Sequence, residues 1–289
     1  MSKYCILYSY FETDESIKRL SFFINQGLII DDDIFYVFLI NNYKCSINIP
    51  AKKNILILPR ENIGHDFGSW KYGLQHINSD TFDYFIFMND TIMGPFLPKY
   101  IPKKMKWYQM FCLLLSNKVK LSGLTINYVP KKHVQSMMFC TDKVGFNILT
   151  KTIFNTSISN MNSIYKKDRI EFIITFEVNM SEHIINNGYL IDALFINNNY
   201  TDDPWYNNKY YNSTINPFET MFIKKNRIDS DIIDLYITNK DNNGPLNKKL
   251  NVTNKDNNGP LNKKLNVGLI FVIIILLVTT LILLFYIKS

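Results

Sequence analysis

An acidic residue directly follows an apolar, strand-like run in the first half of the chain. Residues 82–88 read Phe-Asp-Tyr-Phe-Ile-Phe-Met, and Asn89, Asp90 and Thr91 come next. A carboxylate at a strand end can hold a hard divalent cation, which neutralises the charge of a substrate diphosphate. Asn89 and Thr91 would add neutral oxygen ligands. The alternative is a structural Asx turn, in which Asp90 binds only nearby backbone N–H groups.

A second polar cluster, at residues 60–70, follows the preceding strand-like run. Its glycines, Gly64 and Gly68, permit tight turns and a close approach of the backbone to a ligand. Arg60 is suited to pairing with a phosphate. Asp66 can accept hydrogen bonds from a base or from hydroxyl groups, or it can simply cap the helix that follows.

The pattern of apolar residues indicates the elements that position these two clusters. It predicts strands at 4–11, 35–40, 54–58, 82–88, 121–126, 133–139 and 189–195. It predicts helices at 16–26, 67–76, 105–115 and 143–154. This alternation favours an α/β domain over residues 1–230, with a mostly parallel sheet and helices on both faces. Because ligands bind at the carboxyl ends of such strands, both polar clusters fall where a site is expected.

Composition excludes several classes of protein. The chain has 289 residues, a formal net charge of +7, a hydrophobic content of 47% and four cysteines. This hydrophobic content excludes a disordered chain. No C-x-x-C pair occurs, which argues against a disulfide scaffold or a structural zinc module. The basic residues form scattered pairs without a nucleic-acid-binding signature, so we expect no nucleic-acid partner.

The last sixty residues differ in composition from the rest. Residues 231–266 are expected to form a flexible stalk containing a 15-residue tandem duplication, at 238–252 and 253–267, rather than a binding repeat. Residues 267–287 are uncharged and apolar, and as a helix they would span roughly 30 Å, the thickness of a bilayer core. Residues 1–4 lead directly into the first predicted strand without the pattern of a secretory leader, so we expect none. We therefore predict a single-pass C-terminal membrane anchor with the folded domain in the cytosol.

Five groups of residues, taken in order, carry a family resemblance. They are Arg60-x-Asn62-x-Gly64-x-Asp66-Phe67-Gly68-x-Trp70, then 84–96 with Asn89-Asp90 and Gly94-Pro95-Phe96, then His133-x-Gln135-Ser136-Met137, then Phe176-Glu177 with Ser181, and lastly Asn216-Pro217-Phe218-Glu219. Over about residues 3–228 the chain resembles glycosyltransferases of the rhamnan-synthesis type, which are related to the family-2 group with the GT-A fold. Similar proteins occur in microbes and large DNA viruses.

The resemblance implies a GT-A-like nucleotide-binding half. In such enzymes a D-x-D-like element binds Mn²⁺ or Mg²⁺ together with the donor diphosphate. Here that element is Asn89-Asp90-Thr91, which has a single carboxylate and makes Asp90 the expected metal ligand and a catalytic residue. The other residues expected to bind the nucleotide, its phosphates or the metal are Arg60, Asn62, Gly64, Asp66 and His133.

The second half of the domain would receive the acceptor. Glu177 is the expected general base, which takes a proton from an acceptor hydroxyl. Glu171 and Glu182, on neighbouring turns, are rivals for this role. For Glu177 the structural alternative is a helix cap or a surface position, and for His133 it is a satisfied buried histidine.

These observations predict a membrane-anchored glycosyltransferase. It would move a hexosyl or rhamnosyl group from a nucleoside-diphosphate donor to a hydroxyl of a glycan or lipid-linked acceptor. One alternative is a catalytically inactive module with the same fold that only binds. Another is a phosphotransfer enzyme of the haloacid-dehalogenase kind, although Asn89 would then replace the nucleophilic aspartate.

Overall fold

The computed structural model describes residues 2–98, 100–102, 104–195 and 220–224. The chain divides into a compact unit, residues 1–236, and a second unit, residues 237–289. The predicted membrane anchor, the duplicated repeat and the Asn216–Glu219 motif lie outside the described residues. Among the residues that are described, no helix is both long and apolar enough to cross a membrane.

A seven-stranded sheet in the order β10-β6-β9-β4-β1-β2-β3 forms the centre of the first unit. Six strands run in one direction and β9 runs against them. The bounds are β1 Tyr4–Phe11, β2 Ile34–Asn41, β3 Ile55–Arg60, β4 Tyr84–Asn89, β6 Val119–Gly123, β9 Met138–Asp142 and β10 Leu190–Ala193. The predicted α/β class with a mostly parallel sheet is confirmed.

Two small antiparallel ladders lie beside the main sheet. Their strands are β5 Ile92–Met93 with β11 Ile223–Lys224, and β7 Ile126–Asn127 with β8 His133–Val134. The predicted strands 121–126 and 133–139 are therefore each divided between the main sheet and a small ladder. The chain leaves the main sheet at Gly123, and Val134 packs against this glycine. A Cβ at position 123 would lie 2.3 Å from Val134 Cγ1, so a side chain would clash there.

Helices cover both faces of the sheet, as predicted. Their bounds are α1 Asp14–Gln26, α2 His65–Leu74, α3 Trp107–Phe111, α4 Lys143–Lys151, α5 Ile158–Lys167, α6 Arg169–Phe172 and α7 Asn179–Asn186. A π-helical segment, Ile173–Val178, joins α6 to α7. Helices α1 and α3 pack on the face that holds Ile6 and Tyr8, whereas α2, α4, α5 and α7 pack on the face that holds Cys5 and Leu7.

Burial on both faces explains why the strands are almost continuously apolar. In β1 every residue from Tyr4 to Tyr10 is buried, with alternate side chains entering the two cores. The first crossover helix is bounded as expected. Thr13 caps α1 in a capping box with Ser16, and Gly27 ends it. Because β1, β2, β3 and β4 are paired in parallel, their carboxyl ends share one edge of the sheet.

Candidate functional site

A chain of side-chain hydrogen bonds runs along the carboxyl edge of four adjacent strands. From β3, Arg60 donates to Asn41 at the end of β2, with 2.8 Å between Nη1 and Oδ1. Asn41 donates to Ser9 on β1 at 3.2 Å, and Ser9 donates to Asp66 Oδ1 at 2.8 Å. On β4, Asn89 donates to Asp66 Oδ2 at 2.8 Å. The two polar clusters of the sequence are therefore part of one connected network.

Asp66 sits at the centre of this network, in the first turn of α2. Both carboxylate oxygens accept hydrogen bonds from protein groups on β1 and β4. Burial raises the pKa of Asp66, and the charge of Glu177 raises it further, while the bonds from Ser9 and Asn89 act in the opposite direction. The alternative of a helix cap at Asp66 is wrong, because the cap position of α2 is Gly64 and no side chain caps it.

Asp90 reaches from the end of β4 to the end of β1. Its Oδ2 accepts the backbone N–H of Phe11 at 2.6 Å. Burial raises the pKa of Asp90 to about 7, and the charge of Asp66 also raises it, against the lowering effects of the Phe11 hydrogen bond and Arg19. The local Asx turn is formed by Asn89, whose Oδ1 accepts the N–H and hydroxyl of Thr91 at 3.1 and 2.6 Å.

Glu177 lies in the π-helical segment and points to the loop between β8 and β9. Its Oε2 accepts the backbone N–H of Ser136 at 3.0 Å and also the Ser136 hydroxyl. Its Oε1 lies 3.4 Å from Nε2 of His133. Burial acts to raise the pKa of Glu177, but the bonds from His133 and Ser136 outweigh burial and hold that pKa below its usual range. Glu177 is thus neither a helix cap nor a surface residue.

The rival glutamates occupy different surroundings. Glu171 pairs with Lys167 one helical turn away at 3.2 Å, and Glu182 pairs with Lys131 at 2.5 Å. Of the three, Glu177 is the one whose charge acts on Asp66. The charge of Glu177 acts on Asp66 and that of Asp66 acts on Asp90, and we name these three carboxyl groups the edge carboxylates.

The backbone at the start of α2 is unusual. Gly64 adopts φ +73° and His65 adopts φ +50°, both in the left-handed region. A Cβ at Gly64 would lie 3.1 Å from Met161 Cβ, so this glycine allows α5 to approach the loop. The His65 ring lies 3.6 Å from the Tyr165 ring, between centroids. Gly64 therefore allows the start of α2 to pack closely against α5. That the Gly64 backbone also contacts a ligand remains a prediction.

Arg60 and Asn62, two of the residues predicted to bind the nucleotide, differ in burial. Arg60 is 5% exposed, and its guanidinium donates to Asn41, Ser69 and the carbonyl of Ile63. Its pKa is lowered by burial. Asn62 is exposed, and its backbone N–H binds Asn42 Oδ1 at 3.3 Å. Phosphate binding by Arg60 would need these internal bonds to open.

The edge carboxylates can contribute to a cation site only together with a substrate. Asp66 and Asn89 use their side-chain acceptors within the network, whereas Asp90 Oδ1 has no described bond. Over the described parts of the chain, no group of three or more His, Cys, Asp or Glu side chains could hold a metal ion. One carboxylate suits Mg²⁺ or Mn²⁺ when phosphate oxygens and water supply the other ligands. Asp90 fits that arrangement.

Four polar residues of the site were not singled out as functional by sequence reasoning. Ser9, Asn41 and Ser69 link Arg60 to Asp66, and Ser136 holds Glu177. Ser9 and Asn41 share one detectable signal, because each is a polar residue near the carboxyl end of an otherwise apolar strand. No comparable signal marks Ser69, which lies inside a helix and whose partners come from distant parts of the chain.

A separate cleft of about 500 Å³ lies at the opposite, amino-terminal edge of β1 and β2. Lys3, the acidic run 31–33, Lys53 and Asn54 are among its lining residues. The charged groups there are largely paired. Asp33 binds Lys106 and the Tyr108 hydroxyl, and Asp32 pairs with Lys53 at 2.6 Å. This cleft lies at the opposite edge of the sheet from Asp66 and Asp90, so it is separate from their site.

Comparison with solved structures finds weak similarity to glycosyltransferases. The catalytic domain of Drosophila β1,4-galactosyltransferase 7 in complex with xylobiose matches with a TM-score of 0.32 and 10% identity, covering 70% of this chain and 69% of that one. The glycosyltransferase GlyE of Streptococcus pneumoniae matches with a TM-score of 0.29 and 8% identity, covering 58% and 44%. With TM-scores this low, these matches do not assign the chain to either enzyme family.

Comparison by sequence is more informative. Virulence protein VirA of Vibrio anguillarum is 30% identical over 179 residues, which are 56% of this chain and 53% of that protein. The chain thus spans about half the length of the curated relatives it matches. The profile of rhamnan synthesis protein F (RgpF) matches residues 51–255, more than half of the chain. The resemblance found in the motifs is confirmed, and the chain belongs to the rhamnan synthesis protein F family.

Proposed function

We propose that this protein is a glycosyltransferase. It would transfer a hexosyl or rhamnosyl group from a nucleoside-diphosphate donor to a hydroxyl of a glycan or lipid-linked acceptor. The observation that supports this most is that the carboxylates of Asp66 and Asp90 bind residues at the carboxyl ends of β1 and β4, where open α/β sheets bind ligands. Membership of the rhamnan synthesis family supports a role in polysaccharide synthesis.

Asp90 and Glu177 have different tasks in this proposal. Asp90 would hold the donor diphosphate through a divalent cation, which when bound supplies positive charge against the leaving group. The acceptor hydroxyl oxygen would bond to the anomeric carbon of the sugar while the bond from that carbon to the diphosphate breaks. Glu177 would accept the proton that this hydroxyl group loses. The pKa of Glu177 is held below its usual range by His133 and Ser136, so its carboxylate is ionised at neutral pH and can accept a proton.

Asp66 would act through its neighbours. It binds Asn89 on β4 and Ser9 on β1, so it keeps the two strand ends at a fixed separation. Asn89 in turn holds Thr91 in the turn that follows Asp90. In the proposed enzyme this arrangement presents Asp90 to the diphosphate without rearrangement of the backbone.

Attachment to a membrane is the second part of the proposal. Residues 267–287 are long and apolar enough to cross a bilayer, and the repeats before them would form a spacer. A cytosolic domain tethered in this way would meet a lipid-linked acceptor at the membrane surface. The anchor and the location rest on the sequence alone.

A donor panel tests the proposed activity. Full-length protein should transfer or hydrolyse at least one sugar from a set of nucleoside-diphosphate hexoses and rhamnose when Mn²⁺ or Mg²⁺ is present. Glu177→Gln should lower turnover by about 10² to 10⁴-fold while the dissociation constant for the donor changes little. Glu182→Gln is the matched control, because it removes a neighbouring paired carboxylate, and it should retain turnover.

The panel also distinguishes the alternatives. Donor binding without turnover in the wild-type protein would indicate an inactive binding module. Neither binding nor turnover with any donor would contradict the proposal. Hydrolysis of simple aryl phosphates, with no effect of nucleotide-sugars, would favour the phosphotransfer alternative.

A further inference from the structure

Arg19 on α1 lies beside Asp90 at the carboxyl edge of the sheet. Its Nε donates to the backbone carbonyl oxygen of Asp90. The same region is held from the other side, because the Ser16 hydroxyl donates to the carbonyl of Phe11 at 2.8 Å and the Phe11 N–H binds Asp90 Oδ2 at 2.6 Å. These hydrogen bonds join the start of α1, the end of β1 and the end of β4, and they fix the Arg19 guanidinium relative to the Asp90 carboxylate.

Most of the hydrogen-bonding capacity of Arg19 is unused. A guanidinium carries N–H donors on Nε and on both terminal nitrogens. Within the described residues the Nε donor makes the one hydrogen bond, and Nη1 lies 3.9 Å from Glu15 Oε2, which is too far for another. The buried side-chain atoms without a partner in the described part of the chain are Asn54 Oδ1 and Ser122 Oγ. The terminal nitrogens of Arg19 therefore reach solvent, although the side chain is only 12% exposed.

The charge of Arg19 acts on Asp90 although the two side chains are not paired. Burial raises the pKa of Asp90, and the Arg19 charge opposes that rise. In the described structure no ion pair joins the two side chains, and Asp90 Oδ1 has no described bond. A phosphate group beside Arg19 would give its terminal nitrogens the acceptors that they lack. Arginine suits this task because its planar fork can donate two parallel hydrogen bonds to one phosphate.

Three other cations near this edge are already engaged by the protein. Arg60 donates to side chains and a carbonyl of the internal network. Lys44 pairs with a glutamate at 3.1 Å, and Lys18 pairs with another at 3.3 Å while it is 67% exposed. Of these four cations, Arg19 can bind a phosphate without first breaking a hydrogen bond of its terminal nitrogens.

We propose that Arg19 is a substrate-binding residue whose terminal nitrogens donate to a phosphate of the donor diphosphate beside Asp90. That the anion is a nucleoside diphosphate rests on the proposed function, whereas the anion site itself rests on the geometry of Arg19. In the transfer reaction Arg19 would offset the negative charge that builds up on the diphosphate as its bond to the anomeric carbon breaks. Arg19 thus takes the task that the sequence suggested for Arg60.

Binding of inorganic pyrophosphate in the absence of metal tests the anion site. Pyrophosphate is titrated into the full-length chain in detergent with EDTA, and calorimetry gives the dissociation constant. We expect Arg19→Met to weaken binding by about 10- to 100-fold, because it removes charge-assisted hydrogen bonds. Lys18→Met is the matched control, since it removes the same charge from the neighbouring position, and it should bind as the wild-type protein does. No binding by the wild-type protein, or equal binding by Arg19→Met, would overturn the proposal.

Arg19→Lys separates direct contact with the anion from a structural role. This variant keeps the positive charge but loses the Nε bond to the Asp90 carbonyl. We expect it to bind pyrophosphate more tightly than Arg19→Met, and urea unfolding of each variant ensures that folded proteins are compared. Equal weakening in both variants would assign the loss to the Nε bond and overturn the direct contact.

Turnover separates this proposal from the proposed function. With a nucleotide-sugar that the wild-type protein uses, Arg19→Met should lower kcat/KM by about tenfold or more. Unchanged kcat/KM in that variant would overturn the role of Arg19 and leave the activity intact. Pyrophosphate binding that depends on Arg19, in a protein that turns over no nucleotide-sugar, would support the anion site and contradict the glycosyltransferase activity.

Discussion

The edge carboxylates differ in ionisation although they belong to one site. Burial raises the pKa of Asp90 to about 7 and also raises that of Asp66, whereas hydrogen bonds from His133 and Ser136 hold the pKa of Glu177 low. Neighbouring carboxyl groups with separated pKa values are characteristic of sites that use them for different tasks. Among the described residues, Asp90 Oδ1 has no hydrogen-bond partner and could face a cation, and Glu177 is ionised to receive a proton.

The raised pKa of Asp90 predicts that this residue destabilises the fold above neutral pH. Its folded pKa of about 7 exceeds the ordinary value of 3.8, so the folded form prefers the protonated acid and loses stability as pH rises through that interval. Asp90→Asn removes the ionisation and can still accept from the Phe11 N–H. In urea unfolding at pH 8 we expect the variant to be more stable than wild type by on the order of 1–4 kcal/mol.

The same comparison at low pH provides the control. At pH 4 the advantage of Asp90→Asn should largely disappear, because Asp90 is then protonated in the folded protein. Equal stability of wild type and variant at pH 8 would contradict the assigned burial of this carboxyl group. Loss of turnover in a variant that is more stable would agree with a function for Asp90 in binding rather than in folding.

Sequence reasoning identified the edge carboxylates but not how Arg60 is used. Asp90 and Asp66 stand out because each follows an apolar strand, and Glu177 stands out through the family resemblance. Arg60 was expected to bind a phosphate, yet its partners Asn41 and Ser69 enclose it in the folded protein. The partners of a buried hydrogen-bond network are set by the tertiary fold, so a single sequence cannot reveal them.

At the scale of the elements, most strands agree with the apolar pattern because both faces of the sheet are covered. The pattern was less informative between residues 155 and 188, where it gave no element bounds. There the structure has α5, α6, the π-helical segment and α7. A π-helical segment of six residues is too short to show a distinct hydrophobic periodicity in the sequence. In the structure this segment carries Glu177, whose carboxylate accepts the backbone N–H of Ser136.

The first turn of α2 provides a prediction at this scale. A Cβ at Gly68 would lie 2.4 Å from the carbonyl oxygen of Ile63, the same oxygen that accepts from Arg60 Nη2. We expect Gly68→Ala to destabilise the protein by about 3 kcal/mol, since neither backbone segment can move freely. Thermal or urea unfolding measures this loss.

Gly188 offers a matched control for that substitution. It has φ +83°, but apart from its two chain neighbours no heavy atom of the described residues lies within 4 Å of the point that a Cβ would occupy. Gly188→Ala should therefore cost only the backbone term, about 1 kcal/mol. If the two variants were equally stable, close packing at the Gly68 turn would not be what positions Arg60 and α2.

At the scale of the whole molecule, the chain combines a compact α/β unit with a second unit of different composition. The family match begins at residue 51 and continues to residue 255, so it extends from the site region into the duplicated repeat. The chain spans about half the length of its curated relatives. Its apolar segment at 267–287 predicts attachment to a membrane.

Removal of that segment tests the attachment. We expect the full-length chain to stay with membranes after carbonate extraction, because inserting an uncharged apolar helix of this length into a bilayer is strongly favourable. Deletion of residues 267–289 should release the protein to the soluble fraction. Deletion of 238–252, one copy of the repeat, should leave it in the membrane, and release of that control would show that the repeat itself is required.

The most direct test of the central claim is a crystal structure of the protein with a nucleoside diphosphate and Mn²⁺. We predict that the pyrophosphate and the cation lie beside Asp90 at the carboxyl edge of β1 and β4, with Glu177 facing the space next to them. A pyrophosphate bound elsewhere, for example in the cleft at the amino-terminal edge near Lys3 and Lys53, would contradict the account.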